Sequence, residues 1–112
     1  MKDNTILTRG HIICYAVDRA FMCRDVDLEE AAETDFPCGS VVMVDEDGAV
    51  ALFDSEVTGA EPLLLVEPLK AGQKVMTVAY KGVYVNDYYI EDKEGLAALV
   101  AASGGDIRLA SI

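Results

Sequence analysis

The sequence contains no tryptophan and only one histidine. It also lacks the short motifs that mark many catalytic sites: a glycine-rich phosphate loop, a G-x-S-x-G nucleophile and an H-E-x-x-H metal pair. The 20 acidic residues are spread along the chain, and no pair of them is set apart from the rest. Such charges usually form a solvated surface. We therefore expect a protein that is not an enzyme and that binds no cofactor.

Basic residues are also scarce. Nine lysines and arginines stand against 20 acidic residues, which gives a formal net charge of −11. A surface of this charge repels phosphate groups, so direct binding to nucleic acid or to an anionic membrane is disfavoured. The charge favours high solubility, or docking onto a complementary basic surface.

Long apolar runs are absent too. No stretch approaches the ~20 apolar residues that are needed to span a bilayer, and the opening residues lack the apolar core of a signal peptide. The three cysteines, Cys14, Cys23 and Cys38, are odd in number and have no paired spacing. This pattern is typical of a protein in a reducing cytosol, where unpaired cysteines behave as small apolar side chains.

Two patterns suggest metal sites, and both are weak. His11 and the three cysteines could supply a zinc site, but only His11 and Cys14 are closely spaced, whereas structural zinc sites usually contain C-x₂-C pairs. A run that begins at Asp45 resembles the start of a calcium loop. Its fifth and sixth positions would be Ala49 and Val50, where such a loop needs an oxygen ligand and a glycine. We expect no metal at either place.

What the sequence does contain is apolar material for one core. Of its 112 residues, 52% are hydrophobic, which suffices for a single domain of this length. Residues 1–10 are polar and have no clear period, so we predict a flexible N-terminal arm there. Residues 11–112 are predicted to form a single β-rich domain. Short apolar segments alternate in it with turn residues, which is typical of a small β-barrel or a sandwich-like fold.

The clearest local signal is a hairpin. Residues 41–44 and 49–53 are two apolar segments, and the sequence between them contains Asp47-Gly48, a pair suited to the positive φ of a hairpin turn. Further strands are predicted where β-branched, aromatic and leucine residues are concentrated, at residues 12–17, 62–67, 75–80, 83–90 and 107–109.

Residues 25–35 are strongly acidic. Residues 28–33 could form one or two helical turns. The charges would lie all round such a helix, however, so an exposed connection is an equally good interpretation.

A helix is predicted at residues 93–103. Leu96, Leu99 and Val100 follow the i, i+3, i+4 spacing of a buried helix face. Asp92 is a suitable N-cap, and a glycine pair after the segment is a suitable end.

Four of the five tyrosines are close together in the sequence, at Tyr80, Tyr84, Tyr88 and Tyr89. Tyrosines are common in β-rich cores and at their edges. They are also favoured in protein interfaces, because the ring offers a large apolar face and the hydroxyl a polar tip. Composition leaves both interpretations open. The four tyrosines are our candidate protein interface. In an alternative function they line the pocket of a small β-barrel module that binds a peptide or small ligand.

Three features occur in a fixed order between residues 36 and 110. The first is the strand after Gly39 with its Asp-Gly hairpin, and the second is a strand that ends in Lys81-Gly82. The third is the alanine-rich segment 96–102, followed by a glycine pair and the last strand at 107–109. Their order and spacing resemble the lambda-type bacteriophage head decoration proteins, which have a basic residue and glycine at the second feature and an alanine-rich helix at the third.

The resemblance implies a mainly β domain of the β-tulip type with one short C-terminal α-helix. It implies a structural protein of the virion that is made in the host cytoplasm, binds the capsid surface and stabilises the mature head against the pressure of packaged DNA. The partner would be the major capsid protein, and the protein itself would be a homotrimer. An N-terminal arm that orders on binding would correspond to residues 1–10.

Overall fold

The computed structural model describes residues 8–110, which contain short strands, two α-helices and two single-turn 3₁₀ helices. In chain order the elements are α1 (Arg9–Ile12), β1 (Ile13–Ala16), a 3₁₀ helix (Arg19–Phe21), β2 (Cys23–Asp27), β3 (Val41–Val44), β4 (Val50–Leu52), β5 (Leu63–Leu64), β6 (Val75–Ala79), β7 (Val83–Val85), a second 3₁₀ helix (Asp87–Tyr89), α2 (Lys93–Ala102) and β8 (Ile107–Leu109). The prediction of a mainly β fold with one longer helix near the C-terminus is confirmed.

The strands of the described residues form three small sheets. One has the order β1-β7-β8, with β7 and β8 parallel; the second is the antiparallel pair β2-β6; the third is antiparallel and has the order β4-β3-β5. A single antiparallel bridge between Leu65 and Val78 joins the second sheet to the third. The sheets therefore share one interior instead of standing apart.

Alternation along β3 and β5 divides the core into two clusters. Val41 and Leu64 face a cluster that also includes residues of α2, β7 and β8, whereas Val42 and Leu65 face a second cluster beneath β6. Successive side chains of a strand point to opposite faces. Because both faces are covered here, the strands are apolar at every position, and a continuous apolar run is typical of such doubly buried strands.

The predicted hairpin is confirmed. β3 and β4 pair antiparallel with Val44 opposite Val50. Asp45 holds the turn, since its Oδ1 accepts a hydrogen bond from the backbone N–H of Ala49 at 3.0 Å. Gly48 has φ +82°, a conformation that an L side chain rarely adopts.

The predicted helix is confirmed as α2. Its N-cap Asp92 accepts a hydrogen bond from the backbone N–H of Gly95 at 2.8 Å, and Leu96 and Leu99 are buried as their spacing predicts. The chain leaves the helix through Gly104, where φ is +66°, and β8 then runs parallel to β7.

The acidic segment forms no helix, and of its two predicted interpretations the connection is the one that the structure shows after β2. No helical turn forms at residues 28–33, and the acidic stretch begins inside a strand, β2. Five residue pairs join β2 to β6, and Leu28 extends this pairing by donating its N–H to the carbonyl of Lys74 at 2.7 Å. Residues 28–33 form an irregular connection in which Glu29, Glu30 and Glu33 are exposed, while Leu28 and Ala32 are buried and attach it to the core. Aspartate is disfavoured in strands, and the contacts with β6 override that preference here.

The predicted arm, residues 1–10, falls mostly on residues 1–7, which lie outside the described part of the chain. Arg9 and Gly10 belong to α1, and Arg9 forms an ion pair with Glu67. The last residues of the segment are therefore attached to the domain.

Candidate functional site

Tyr88 and Tyr89 occupy the first of three tyrosine environments. Both lie in the second 3₁₀ helix, which Asn86 caps by accepting a hydrogen bond from the Tyr88 N–H at 3.1 Å. Their rings meet edge to face with centroids 5.0 Å apart, and Tyr89 makes a similar contact with His11 at 5.1 Å. Tyr88 is exposed, whereas Tyr89 packs against the core.

Tyr84 occupies the second environment. It lies in β7 opposite Tyr15 of β1, and the two ring centroids are 5.8 Å apart. Tyr15 was not among the candidate residues, because it is far from Tyr84 in the sequence and only the pairing of β1 with β7 brings the two rings together.

Tyr80 occupies the third environment, at the end of β6. The Arg24 guanidinium and the Lys81 ammonium lie over its ring, at 5.3 and 4.9 Å from the centroid, which are distances suited to cation–π attraction. Among residues 8–110, no ring contact joins Tyr80 or Tyr84 to the Tyr88–Tyr89 pair. The fold thus distributes the four tyrosines over separate places.

A group of exposed apolar side chains surrounds the Lys81-Gly82 turn. Val17 donates its N–H to the Gly82 carbonyl, and Lys81 donates its N–H to the Phe21 carbonyl, both at 2.8 Å. Gly82 has φ +65°, and a Cβ placed on it would lie only 3.3 Å from the Val17 Cβ, so this turn favours glycine. Tyr15, Val17 and Phe21 all expose large apolar side chains on this segment. We call these three residues the apolar patch.

The histidine and the cysteines lie in unlike surroundings. Cys14 is exposed, Cys23 half-buried and Cys38 buried, while His11 accepts a hydrogen bond at Nδ1 from the Thr8 N–H at 3.0 Å. Within residues 8–110, no group of three or more histidine, cysteine and acidic side chains converges on a point that could hold a metal ion.

Burial controls the chemistry of two of the thiols. The pKa of Cys38 is raised to about 11, mainly by desolvation and also by the Glu67 carboxylate, while Arg9 opposes both effects. Desolvation also raises the pKa of Cys23. Both thiols are therefore protonated at neutral pH, and a protonated thiol is a poor nucleophile.

A hollow with a volume of about 450 Å³ opens beside Tyr89. We call it the Tyr89 cleft. Its apolar walls include Val41 of β3 and Leu52 and Phe53 at the end of β4, and Glu91 and Asp92, just before α2, add carboxylates. The volume falls in the range of small-ligand sites. Since the lining comes from three distant parts of the chain, no local sequence pattern marks it.

A second hollow of about 380 Å³ adjoins the Tyr89 cleft and shares Leu52, Phe53 and Asp92 with it. It adds the acidic residues Asp54 and Glu94. Among residues 8–110, no lysine, arginine or histidine lines either hollow. The two hollows together thus form an acidic surface with apolar walls.

Neither a protein-family model nor a curated protein matches the chain. Within residues 8–110, no helix combines the length and the apolar character that crossing a membrane requires.

Proposed function

We propose that this protein is a non-enzymatic structural protein that binds the outside of a bacteriophage capsid and stabilises the mature head. Its partner is the major capsid protein, its working form is a homotrimer on the capsid surface, and it contacts neither nucleic acid nor membrane directly. The starting point is the resemblance to the lambda-type head decoration proteins over residues 36–110.

The observation that carries the proposal is the surface around the Lys81-Gly82 turn. This turn is one of the three features of the resemblance, and the apolar patch lies along it. Tyr15, Val17 and Phe21 are 60, 70 and 53% exposed. Large apolar side chains exposed near one another favour a protein–protein contact, because burying them removes apolar surface from water. The Tyr84 ring, next to Tyr15, adds an amphipathic side chain of the kind enriched in interfaces.

The third feature of the resemblance lies on elements that support this surface. β7, which carries Tyr84, is the central strand of its sheet, with β1 on one side and β8 on the other. β8 and α2 form the third feature, and α2 packs against β8. A rigid frame beneath an interface lowers the entropy that is lost on binding.

The mechanism is binding without any reaction. A protein that binds the expanded lattice, and binds the disrupted shell less well, stabilises the expanded lattice by mass action. Many copies on one head multiply this effect. The net charge of −11 keeps unbound copies soluble and favours docking onto a basic region of the capsid.

The test is co-sedimentation with expanded empty heads of the phage whose genome encodes the chain. Wild-type protein should bind saturably, and the double variant Val17→Ser, Phe21→Ser should bind about tenfold more weakly or worse, since interface anchors carry much of the binding free energy. Val57→Ser is the matched control, because Val57 is also exposed but lies in the loop after β4. Circular dichroism checks that each variant is folded.

The results distinguish a failure of the proposed function from a failure of the proposed contact surface. Wild-type protein that ignores the heads overturns the proposed function. Wild-type binding that the double variant retains in full keeps the function but overturns the apolar patch as the contact.

A ligand-binding module is the second candidate, and the Tyr89 cleft is the observation that favours it. Of the four candidate tyrosines only Tyr89 lines that cleft, so the module would use Tyr89 with Leu52 and Phe53 in place of the whole tyrosine group. A monomer that ignores phage heads and binds a small ligand in the cleft would support this candidate over the first.

A further inference from the structure

We propose that the Tyr89 cleft binds an arginine or lysine side chain that an extended segment of another protein presents. The inference concerns residues other than those of the apolar patch and does not depend on the capsid proposal. It rests on three observations: exposed apolar walls, uncompensated negative charge and a free strand edge.

The walls of the cleft suit the stem of a long basic side chain. Leu52 is 62% exposed although it ends a strand, and it lines both hollows together with Phe53. The Tyr89 ring forms a further wall. The methylene stem of arginine or lysine packs on such surfaces while its charged end stays at the rim, and a guanidinium is attracted to the face of an aromatic ring.

The charge of the cleft selects a cation. Four carboxylates, those of Asp54, Glu91, Asp92 and Glu94, line the two hollows, and no basic side chain from the described part of the chain does. Lys93 is the lysine between Asp92 and Glu94. Its ammonium group donates a hydrogen bond to the Asp87 carbonyl in the second 3₁₀ helix. The negative charge therefore has no internal counterpart.

Three of these four carboxylates have a role in stabilising the fold, and one does not. Asp92 caps α2, and Glu94 complements the positive end of the helix dipole. Asp54 accepts a hydrogen bond from the Glu56 N–H at 2.9 Å. Glu91 has no comparable role: within residues 8–110 its carboxylate takes part in no hydrogen bond or ion pair. Glu91 is the residue that we expect to meet the incoming cation.

The strand edge explains why the occupant is an extended segment. β4 is an outer strand of its sheet, so its outward backbone groups can pair with an added strand. Leu52 and Phe53 stand at the end of this edge. A segment that lies along β4 can place an apolar residue against Leu52 and, two positions further on the same face, a long basic side chain in the cleft.

The experiment is a titration of ¹⁵N-labelled protein with acetyl-Leu-Ala-Arg-amide, followed by amide chemical shifts. The control peptide is acetyl-Leu-Ala-citrulline-amide, which has nearly the same shape but no charge. We expect saturable shifts at Leu52, Phe53 and residues 89–92 with the arginine peptide, and about tenfold weaker binding of the citrulline peptide, as is usual when a charged hydrogen bond is lost.

Two charge variants locate the effect. Glu91→Gln combined with Asp92→Asn should weaken binding of the arginine peptide to the level of the citrulline peptide, and asparagine keeps the helix cap. Glu30→Gln combined with Glu33→Gln removes the same charge from exposed positions elsewhere and should leave binding unchanged.

Four results would overturn the inference: shifts that do not saturate, shifts outside the cleft, equal binding of the two peptides, or equal weakening by the two charge variants. Spermidine is the final arm. If it binds the cleft as tightly as the arginine peptide, the site takes free cations, and the assignment to a polypeptide segment is wrong.

Discussion

The β3–β4 hairpin and the β2–β6 pair are both antiparallel, but different parts of the sequence specify them. β3 and β4 are neighbours in the chain, and the turn between them contains Asp47-Gly48. β2 and β6 are separated by the whole third sheet, and Cys23 of one lies opposite Ala79 of the other. The hairpin can be recognised from its own residues, whereas β2 becomes a strand only in the presence of β6.

The two strands differ in how much of their surface is buried. β3 is buried on both faces, and every one of its residues is apolar. In β2, Arg24, Asp25 and Asp27 are exposed, while Cys23 and Val26 are half-buried on opposite faces, each against a different core cluster. Its stability therefore comes from the partner strand and from the core cluster that Val26 touches, and the predictions below test that dependence.

The largest expected effect is at Met76 in β6, which lies opposite Val26 and is almost fully buried. Met76→Ala should lower the free energy of unfolding by about 2–5 kcal/mol, because it leaves a cavity beneath β2. Val75→Ala, at an exposed position of the same strand, is the control and should cost about 0.5 kcal/mol or less. Urea denaturation measures both. Similar losses for the two variants would show that the β2–β6 pair does not cover a packed core.

The cost of replacing Gly48 in the hairpin turn should come both from its positive φ and from its contact with Glu29 of the acidic segment. Gly48 has φ +82°, and a Cβ placed on it would lie 2.5 Å from the Glu29 Cβ; Gly59 has φ +78° and nothing near it. Gly59→Ala should cost about 1 kcal/mol through φ alone. Gly48→Ala should cost more, roughly 1–3 kcal/mol in all, since the side chain also meets Glu29. Equal losses in thermal or urea unfolding would mean that the turn does not pack on the acidic segment.

Alkaline pH should weaken the fold through the buried thiols. The pKa of Cys38 is raised from 9.0 to about 11 in the folded protein, so above pH 9 the unfolded chain loses this proton first and becomes relatively more stable. The stabilising effect is complete below pH 9 and is lost as pH rises towards 11, by on the order of 1 kcal/mol. Wild-type protein should therefore lose more stability over this window than Cys38→Ala. Parallel pH profiles would contradict the assignment.

The smallest expected effect is at the surface of the β2–β6 pair. The Thr77 hydroxyl donates a hydrogen bond to Asp25 Oδ1 at 2.8 Å. Thr77→Val keeps the shape and removes the donor, so it should cost about 0.5 kcal/mol, the low end for one hydrogen bond at an exposed site. Asp25→Asn keeps an acceptor and should cost less. A loss of several kcal/mol for Thr77→Val would show that this bond, and not the buried face, holds β2 in place.

The same contrast explains what the sequence could predict. The hairpin and α2 carry their own signals, the Asp-Gly turn in one and the Leu96, Leu99 spacing with its Asp92 cap in the other. The sequence does not indicate β2 as a strand, because only Cys23 and Val26 in it are half-buried and its charges resemble those of a solvated loop. The segment at residues 83–90 was predicted as one strand but divides after Val85, where Asn86 caps a 3₁₀ turn.

The candidate sites follow the same rule. The four candidate tyrosines lie within ten residues of one another in the sequence. In the fold, however, Tyr84 contacts Tyr15 through the pairing of β1 with β7, and Tyr89 contacts His11 of α1. The Tyr89 cleft is likewise assembled from distant segments. The apolar patch lies within residues 15–21, but the sequence does not indicate which of its apolar side chains stay exposed in the fold.

The most direct test of the proposed function is the temperature at which expanded heads rupture, measured with and without saturating protein. We predict that bound wild-type protein raises this temperature and that the Val17→Ser, Phe21→Ser variant does not. Wild-type protein that leaves the rupture temperature unchanged at saturation would contradict a stabilising role on the capsid.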